Sequence, residues 1–517
     1  MYFRRGEGLM ICKTRTAALW GLEGFEVTVE AFSGRGVPSL SIIGLPDAAV
    51  QESLSRIHAA CQSASLPLPR SSMTINLAPA DRKKQGSGFD LAIAVAMLSA
   101  TVLQGVDLES CGFFGELSLD GALRGVTGAL PLATTLREAG VKDLFVPLAN
   151  SAECSVVEGI RVYGVAHISD LVAHLRGAAT LESCVFDRES AVRASRCAVD
   201  FADIRGQESA KRAAEIAAAG KHNLLLIGPP GSGKSMLSKA IPGILPKMDF
   251  QEMLECTKIH SVAGLLPEKT ALLTERPFRA PHHTISFAGL AGGGVTPQPG
   301  EISLCHNGVL FLDELPEFEK RSLEILRQPL EDHAITVTRA GWKMTFPANF
   351  MLVCAMNPCP CGYYGSDSHP CTCTKNQIER YLSKISGPLL DRVDLKIEVP
   401  AVSFDELSAP PRAETSETVR RRVDRARQIA RERYRAWGVS CNGDLSPALT
   451  RKFCVYDKAA EAVLRSGFVA NHLSGRGFDR ILRLARTIAD LEESEIIGEG
   501  HVLEALQFRF SSGKYFS

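Results

Sequence analysis

A chain of 517 residues, 45% of them hydrophobic, exceeds what one core supports and is expected to form roughly two to four domains. Lysine plus arginine and aspartate plus glutamate balance at 58 each, which removes any global attraction for a polyanion and leaves only local patches. No apolar run reaches the roughly 18 residues that span a bilayer, Met1 to Arg5 carries no signal-peptide core, and the fifteen cysteines scatter singly apart from one cluster, so a cytoplasmic protein without a membrane partner is predicted.

From about residue 10 to 175, strand-like runs such as Phe25 to Phe32 and Leu40 to Ile43 alternate with helical runs such as Asp90 to Ala100, which predicts an α/β or α+β domain. Residues 176–200 have little periodicity and read as a linker. Residues 201–403 run helix, apolar strand, Gly-rich loop, helix, a Gly- and Pro-rich region at 288–300 and the strand Val309 to Leu312, the order of an α/β nucleotide-binding core. Beyond Pro400, Pro410 and Pro411 the pattern turns helical, including Glu417 to Trp437 and Gly477 to Leu491, so residues 404–517 read as a helical lid. The fold class is multidomain α/β.

The most specific motif follows the run Leu224 to Ile227: Gly228, Pro229, Pro230, Gly231, Ser232, Gly233, Lys234 and Ser235. Its glycines let backbone N–H groups converge on a polyphosphate, Lys234 reaches the terminal phosphates and the Ser235 hydroxyl is placed to ligate Mg2+, so ATP is the expected ligand. The strand Val309 to Leu312 ends at Asp313 and Glu314. Asp313 beside the phosphate loop would hold the magnesium and Glu314 would polarise water as a general base, which implies hydrolysis, although a solvated pair also ends many strands. A second strand, Phe350 to Met356, ends at Asn357, an amide that can orient the same water or simply make a turn. Arg392 stands between Asp391 and Asp394 and either pairs with one of them or enters a neighbouring subunit's nucleotide site. Arg476 opens a helix, as a same-chain contact to the γ-phosphate or as a solvated side chain.

Cys359 and Cys361, then a nine-residue spacer, then Cys371 and Cys373, can close a tetrahedral thiolate site for structural zinc in an insert over 357–374, with His369 as a substitute ligand and four free thiols as the alternative. Such a site has no open position for substrate; it would pin the insert and couple Asn357 to Arg392.

Two features point toward a nucleic acid. Arg420 to Arg435 holds eight arginines against Asp424 and Glu432 on helical text, which either tracks phosphates or forms intrahelical pairs. Ile335 to Thr345 reads as a hairpin with Arg339, Trp342 and Lys343 near its tip, combining charge with a stacking surface. His282 and His283 lie in a separate loop, as pore residues or as bonded turn histidines.

Taken together, the phosphate loop, Asp313 and Glu314, Asn357, the block Leu389 to Asp394 and the helix start at Ser474 to Arg476 resemble an AAA+ ATPase of the magnesium-chelatase-like group. From about residue 10 to 510 the chain resembles the ComM (YifB) family, through Ile43 to Asp47, Asn76 to Asp81, Phe278 to Ser286, Gly300 to Leu304 and Asn357 to Gly365. The resemblance implies that Arg392 is an arginine finger, that Arg476 is a second sensor, and that the working form is a ring, hexameric in type. It further implies a DNA translocase or helicase that moves branched or single-stranded recombination intermediates during natural transformation, with recombination proteins as partners. Members usually begin near Met10, so residues 1–9 read as an extension or a mis-assigned start. Lys83 to Asp90, Gly115 to Gly121 and Gly140 to Pro147 resemble the proteolytic domain of Lon-type proteases, which makes a peptidase a rival reading. A hydroxyl nucleophile needs an activating base. By the motif's register the serine position falls on Gly88 and the lysine position on Leu130, so a non-catalytic scaffold is expected. A chelatase-like motor acting on a protein partner is the other alternative.

Overall fold

The computed structural model describes residues 10–34, 37, 39–188, 199–267, 269–294, 297–339, 342–365, 369–402, 414–471, 473–510 and 515. The expected extension at 1–9, Pro410 and Pro411 and the expected boundary at 403–404 lie outside the described residues. The chain forms two compact units, one of residues 1–194 with 253–273 and one of residues 195–252 with 274–517.

The first unit is built on an eight-stranded sheet, in the order Ser183–Cys184, Arg161–Val165, Asp143–Pro147, Cys111–Phe113, Met10–Trp20, Glu23–Gly34, Ser72–Ala78 and Leu40–Ile43. Its central hairpin pairs Met10 with Ser33 through to Trp20 with Glu23. The helix Asp90–Leu98 is apolar from its second residue onward and is buried all round, as such a sequence requires. Two expectations need correction. Within the expected linker 176–200, Ser183 and Cys184 pair antiparallel with Tyr163 and Val162 as the edge strand of this sheet; residues 189–198 lie outside the described residues. Met253–Leu273, expected inside the nucleotide core, belongs to the first unit, where Gly128 N–H donates to Ser261 O (2.9 Å).

The second unit centres on five parallel strands in the order Phe278–Arg279, Val309–Leu312, Met351–Met356, Leu224–Ile227 and Leu395–Glu398. Leu224–Ile227, Val309–Leu312 and Met351–Met356 are buried at every position, which explains their continuous apolar text. Leu224–Ile227, the first strand in chain order, lies between the last two, Met351–Met356 and Leu395–Glu398, and the chain crosses it to reach the latter, so the crevice beyond its carboxyl end is the topological switch point where ligands bind. Helices Ser416–Tyr434, Pro447–Phe453, Lys458–Ala470, Gly475–Leu491 and Glu499–Phe510 form the expected helical region, packing Val423, Ala426 and Ile488 into one core with Ala213 and Ala217 of the helix Glu208–Gly220. Among the described residues no helix is long and apolar enough to cross a membrane.

Candidate nucleotide site

Three parallel strands deliver the site's polar groups at their carboxyl ends. Gly231 and Gly233 turn the phosphate loop with φ of 76° and 87°, a conformation that suits glycine, and the helix Lys234–Ile244 begins directly after. Ser235 Oγ donates to Asp313 Oδ2 at 2.7 Å, which sets the two expected magnesium ligands side by side. Lys234 Nζ donates to the carbonyls of Gly228 and Pro229, both at 2.8 Å, and reaches Asn357 Oδ1 at 3.4 Å. Burial lowers the Lys234 pKa to about 8, against the opposing pull of Asp313. Lysine, hydroxyl, carboxylate and amide thus converge at the helix N-terminus, a donor set that fits a magnesium-bound polyphosphate.

Glu314 stands apart from that cluster. Its backbone is left-handed (φ 51°), its N–H donates to Asp313 Oδ1 at 2.9 Å, and its half-exposed carboxylate lies 3.2 Å from His283 Nδ1. His283 thus contacts the candidate base. His282 fits the turn reading, with Nδ1 2.8 Å from Thr284 Oγ1. Gln207 is a site residue that the sequence reading missed: its amide donates to Ser232 O (3.3 Å) and Pro400 O (2.6 Å), tying the phosphate loop to the end of the last strand. A glutamine between a glycine and a helix start was the available signal.

The four sulfurs of Cys359, Cys361, Cys371 and Cys373 lie within 4.8 Å of one another, a spacing that fits a four-thiolate metal site. Burial opposes charge at Cys361, but backbone N–H groups of Tyr363 and Thr372 and the thiols of Cys359 and Cys373 lower its pKa to about 5. At Cys371 the backbone N–H of Cys373 is outweighed by burial and the thiols of Cys361 and Cys359, which raise its pKa, and burial raises that of Cys373. His369 packs its ring on Tyr363 instead, with centroids 5.0 Å apart. The insert also reaches the nucleotide site: a Cβ at Gly362, whose φ is 88°, would sit 2.6 Å from Pro230 Cδ.

Arg392 and Arg476 occupy the opposite end of the sheet. Arg392 precedes the strand Leu395–Glu398, whereas the phosphate loop follows the parallel strand Leu224–Ile227; four residues of strand alone separate these ends by about 13 Å. Both arginines line a cleft of about 430 Å3 with Asn223, Asp394 and Arg480. Among the described residues the expected pairing of Arg392 with Asp391 or Asp394 is not what forms: its guanidinium bonds Glu331 and Pro388 O (2.7 Å), and its buried Nε meets no partner there. The cleft that Arg476 lines includes neither the phosphate loop nor Asp313.

Families described as magnesium chelatase subunit ChlI match residues 29–150 and 200–407, and the ChlI C-terminal family matches residues 413–509. The competence protein ComM of Haemophilus influenzae is 42% identical over 95% of this chain and 96% of its own length. The chain belongs to the ComM (YifB) family. YifB of Escherichia coli is 41% identical over 97% of both chains, and the 38 kDa magnesium-chelatase subunit of Rhodobacter capsulatus is 24% identical over 58% of this chain. This ComM-family member is a magnesium-chelatase-like ATPase with an amino-terminal ChlI domain.

The remaining candidates divide. Ala334–Arg339 and Trp342–Pro347 do pair as a hairpin, with Lys343 exposed and Trp342 half-buried; Ala340, Gly341 and the Arg339 side chain lie outside the described residues. Much of the arginine run is engaged internally: Arg420 and Arg421 with Glu417, Arg422 with Glu215 and Glu414, Arg425 with Glu493, Arg433 with Asp490, and Arg427 with Ala218 O. In the first unit Leu130 is fully buried in a hydrophobic core, and Ser87 Oγ donates to Glu116 rather than to a lysine.

Proposed function

We propose that this ATPase works as a ring, hexameric in type, that drives branch migration of DNA recombination intermediates. The observation that carries the ring is the separation of the two arginines from their own subunit's phosphate loop. At the amino end of the parallel sheet they have no phosphate to meet within the chain, and a head-to-tail neighbour supplies one. In that arrangement Arg392 and Arg476 stabilise charge on the transferring phosphoryl group while Lys234 holds the terminal phosphates and Asn357 and Glu314 orient and deprotonate the attacking water. Magnesium held by Ser235 and Asp313 would neutralise the phosphate oxygens.

The DNA substrate rests on kinship with a competence protein and on the hairpin bearing Arg339, Trp342 and Lys343, a charged and stacking tip suited to single strands or branch points. ATP hydrolysis is expected to rise with forked or four-way DNA, and ATP-dependent branch migration to exceed strand displacement of a simple duplex. Absence of both binding and movement of branched DNA across a range of salt would sink the DNA motor. Remodelling of a protein partner, which the chelatase likeness of all three matched segments favours, would then remain. Recombination proteins are the partners to seek if DNA is moved.

A further inference from the structure

One half-buried amide ties the finger segment to both strands that lead to the nucleotide. Asn223 immediately precedes the strand Leu224–Ile227, which runs into the phosphate loop. Its side-chain Oδ1 accepts from Leu352 N–H at 2.9 Å, and Leu352 lies on the strand that ends beside Asn357. Its Nδ2 donates to the carbonyl oxygen of Arg392, also at 2.9 Å. Its own carbonyl accepts from Asp394 N–H and Leu395 N–H at 3.0 and 3.1 Å. The preceding residue, His222, is 1% exposed and bridges Asp394 (3.3 Å) to Thr487 of the helix Gly475–Leu491 (2.8 Å). Burial opposes the charge of Asp394, but His222, Arg483 and Arg480 hold its pKa far below the ordinary carboxylate range, so the segment after the finger is anchored as an anion.

We infer that Asn223 is a positioning residue for Arg392, transmitting the state of one subunit's nucleotide site to the finger it presents to the next. The inference rests on the ring reading above. The two strands that lead to Gly228 and Asn357 both meet this amide, so a shift at either end reaches the Arg392 carbonyl through its two hydrogen bonds, in parallel with the backbone bonds of Asn223 to Asp394 and Leu395. Without Nδ2 the Arg392 carbonyl loses its only side-chain tether among the described residues, and a displacement of the guanidinium by an ångström suffices to lose its catalytic contribution.

The test uses mixed rings of the full-length protein. N223D keeps an acceptor for Leu352 N–H and sets a carboxylate against the Arg392 carbonyl. Alone, it is expected to hydrolyse ATP about a hundredfold more slowly, with its affinity for a fluorescent ATP analogue unchanged. Mixed with K234A, whose finger is intact and whose phosphate loop is disabled, it should recover roughly tenfold or more, because its own loop then meets a neighbour's finger. Mixed with R392A it should not recover. Wild-type turnover by N223D alone overturns the proposal. So does failure of N223D to be complemented by K234A when R392A is complemented, since the defect then lies in its own phosphate site or its fold. If R392A and K234A fail to complement each other, the ring reading itself falls, an outcome that the N223D arms do not share.

Discussion

A buried charge of the first unit and the site charges of the second stand under opposite conditions. In the first, the Asp90 side chain is fully buried and fully answered: Arg56 Nε at 2.8 Å, Leu117 N–H at 3.1 Å and the Ser53 hydroxyl all donate to it. In the second, Glu314 is half-exposed with one histidine beside it, Arg392 leaves a buried Nε unanswered among the described residues, and Lys234 rests on loop carbonyls. A buried charge with complete partners is costly to unpair and so serves the fold, whereas one that is exposed or rests on groups a ligand can replace is available to that ligand. The ChlI domain buries Leu130 in its hydrophobic core, while the phosphate loop, Asp313 and Asn357 gather at the carboxyl ends of three parallel strands of the second unit.

The contrast is broken most directly by a reciprocal pair of variants. E314Q should lower the ATPase rate by about 10²–10⁴-fold with no change in thermal midpoint, as removal of a general base does. D90A should instead cost about 3–5 kcal/mol of stability by stranding Arg56 and the Leu117 N–H. Near-normal turnover by E314Q, measured with ATP and magnesium in excess, would take the base role from Glu314. Unfolding of D90A unchanged by calorimetry would show that a complete set of partners is no sign of structural duty.

A smaller effect is expected from the cysteine cluster, which joins the two conditions. Its thiolates would be closed off by metal, yet Gly362 within the same insert abuts Pro230 of the phosphate loop. Elemental analysis should find one zinc per chain, and C359S or chelation should raise KM for ATP about tenfold through the loosened loop, with a smaller loss in kcat. Metal absent from purified protein, or a KM indifferent to its removal, would reduce the cluster to four free thiols.

What the sequence displayed of all this follows how local each feature is. The strands Leu40–Ile43 and Val309–Leu312 appear where their runs of apolar residues stand, and the phosphate loop is legible because eight consecutive residues carry its chemistry. Features made by distant partners were not legible. Ser183–Cys184 is a strand only because Tyr163 and Val162 offer an edge, and Met253–Leu273 leaves the nucleotide core for contacts with the first unit. The arginine run shows its helical period, but whether it meets phosphates depends on Glu215, Glu493 and Asp490, far away in the chain. Asn223 reads as an ordinary asparagine until Leu352 and Arg392 fold onto it.

The subtlest contrast lies within the first unit itself. Glu153 is also buried but, unlike Asp90, meets no cation among the described residues: Ser261 Oγ donates at 2.6 Å and Asn150 Nδ2 at 2.7 Å. Burial therefore dominates and raises its pKa, with the Ser261, Asn150 and Leu130 hydrogen bonds opposing. The folded unit holds this proton more tightly than the unfolded chain, so its stabilising contribution is complete below the ordinary glutamate value of 4.5 and is lost as pH rises through the elevated folded value. E153Q removes the ionisation while its amide still meets both partners, since the Ser261 hydroxyl can turn to accept. The variant should gain on the order of 1 kcal/mol over wild type near pH 8 and nothing near pH 4.5. Calorimetric midpoints of both proteins across that range check it, and parallel curves would mean that hydrogen bonds alone satisfy a buried carboxylate as fully as the arginine satisfies Asp90.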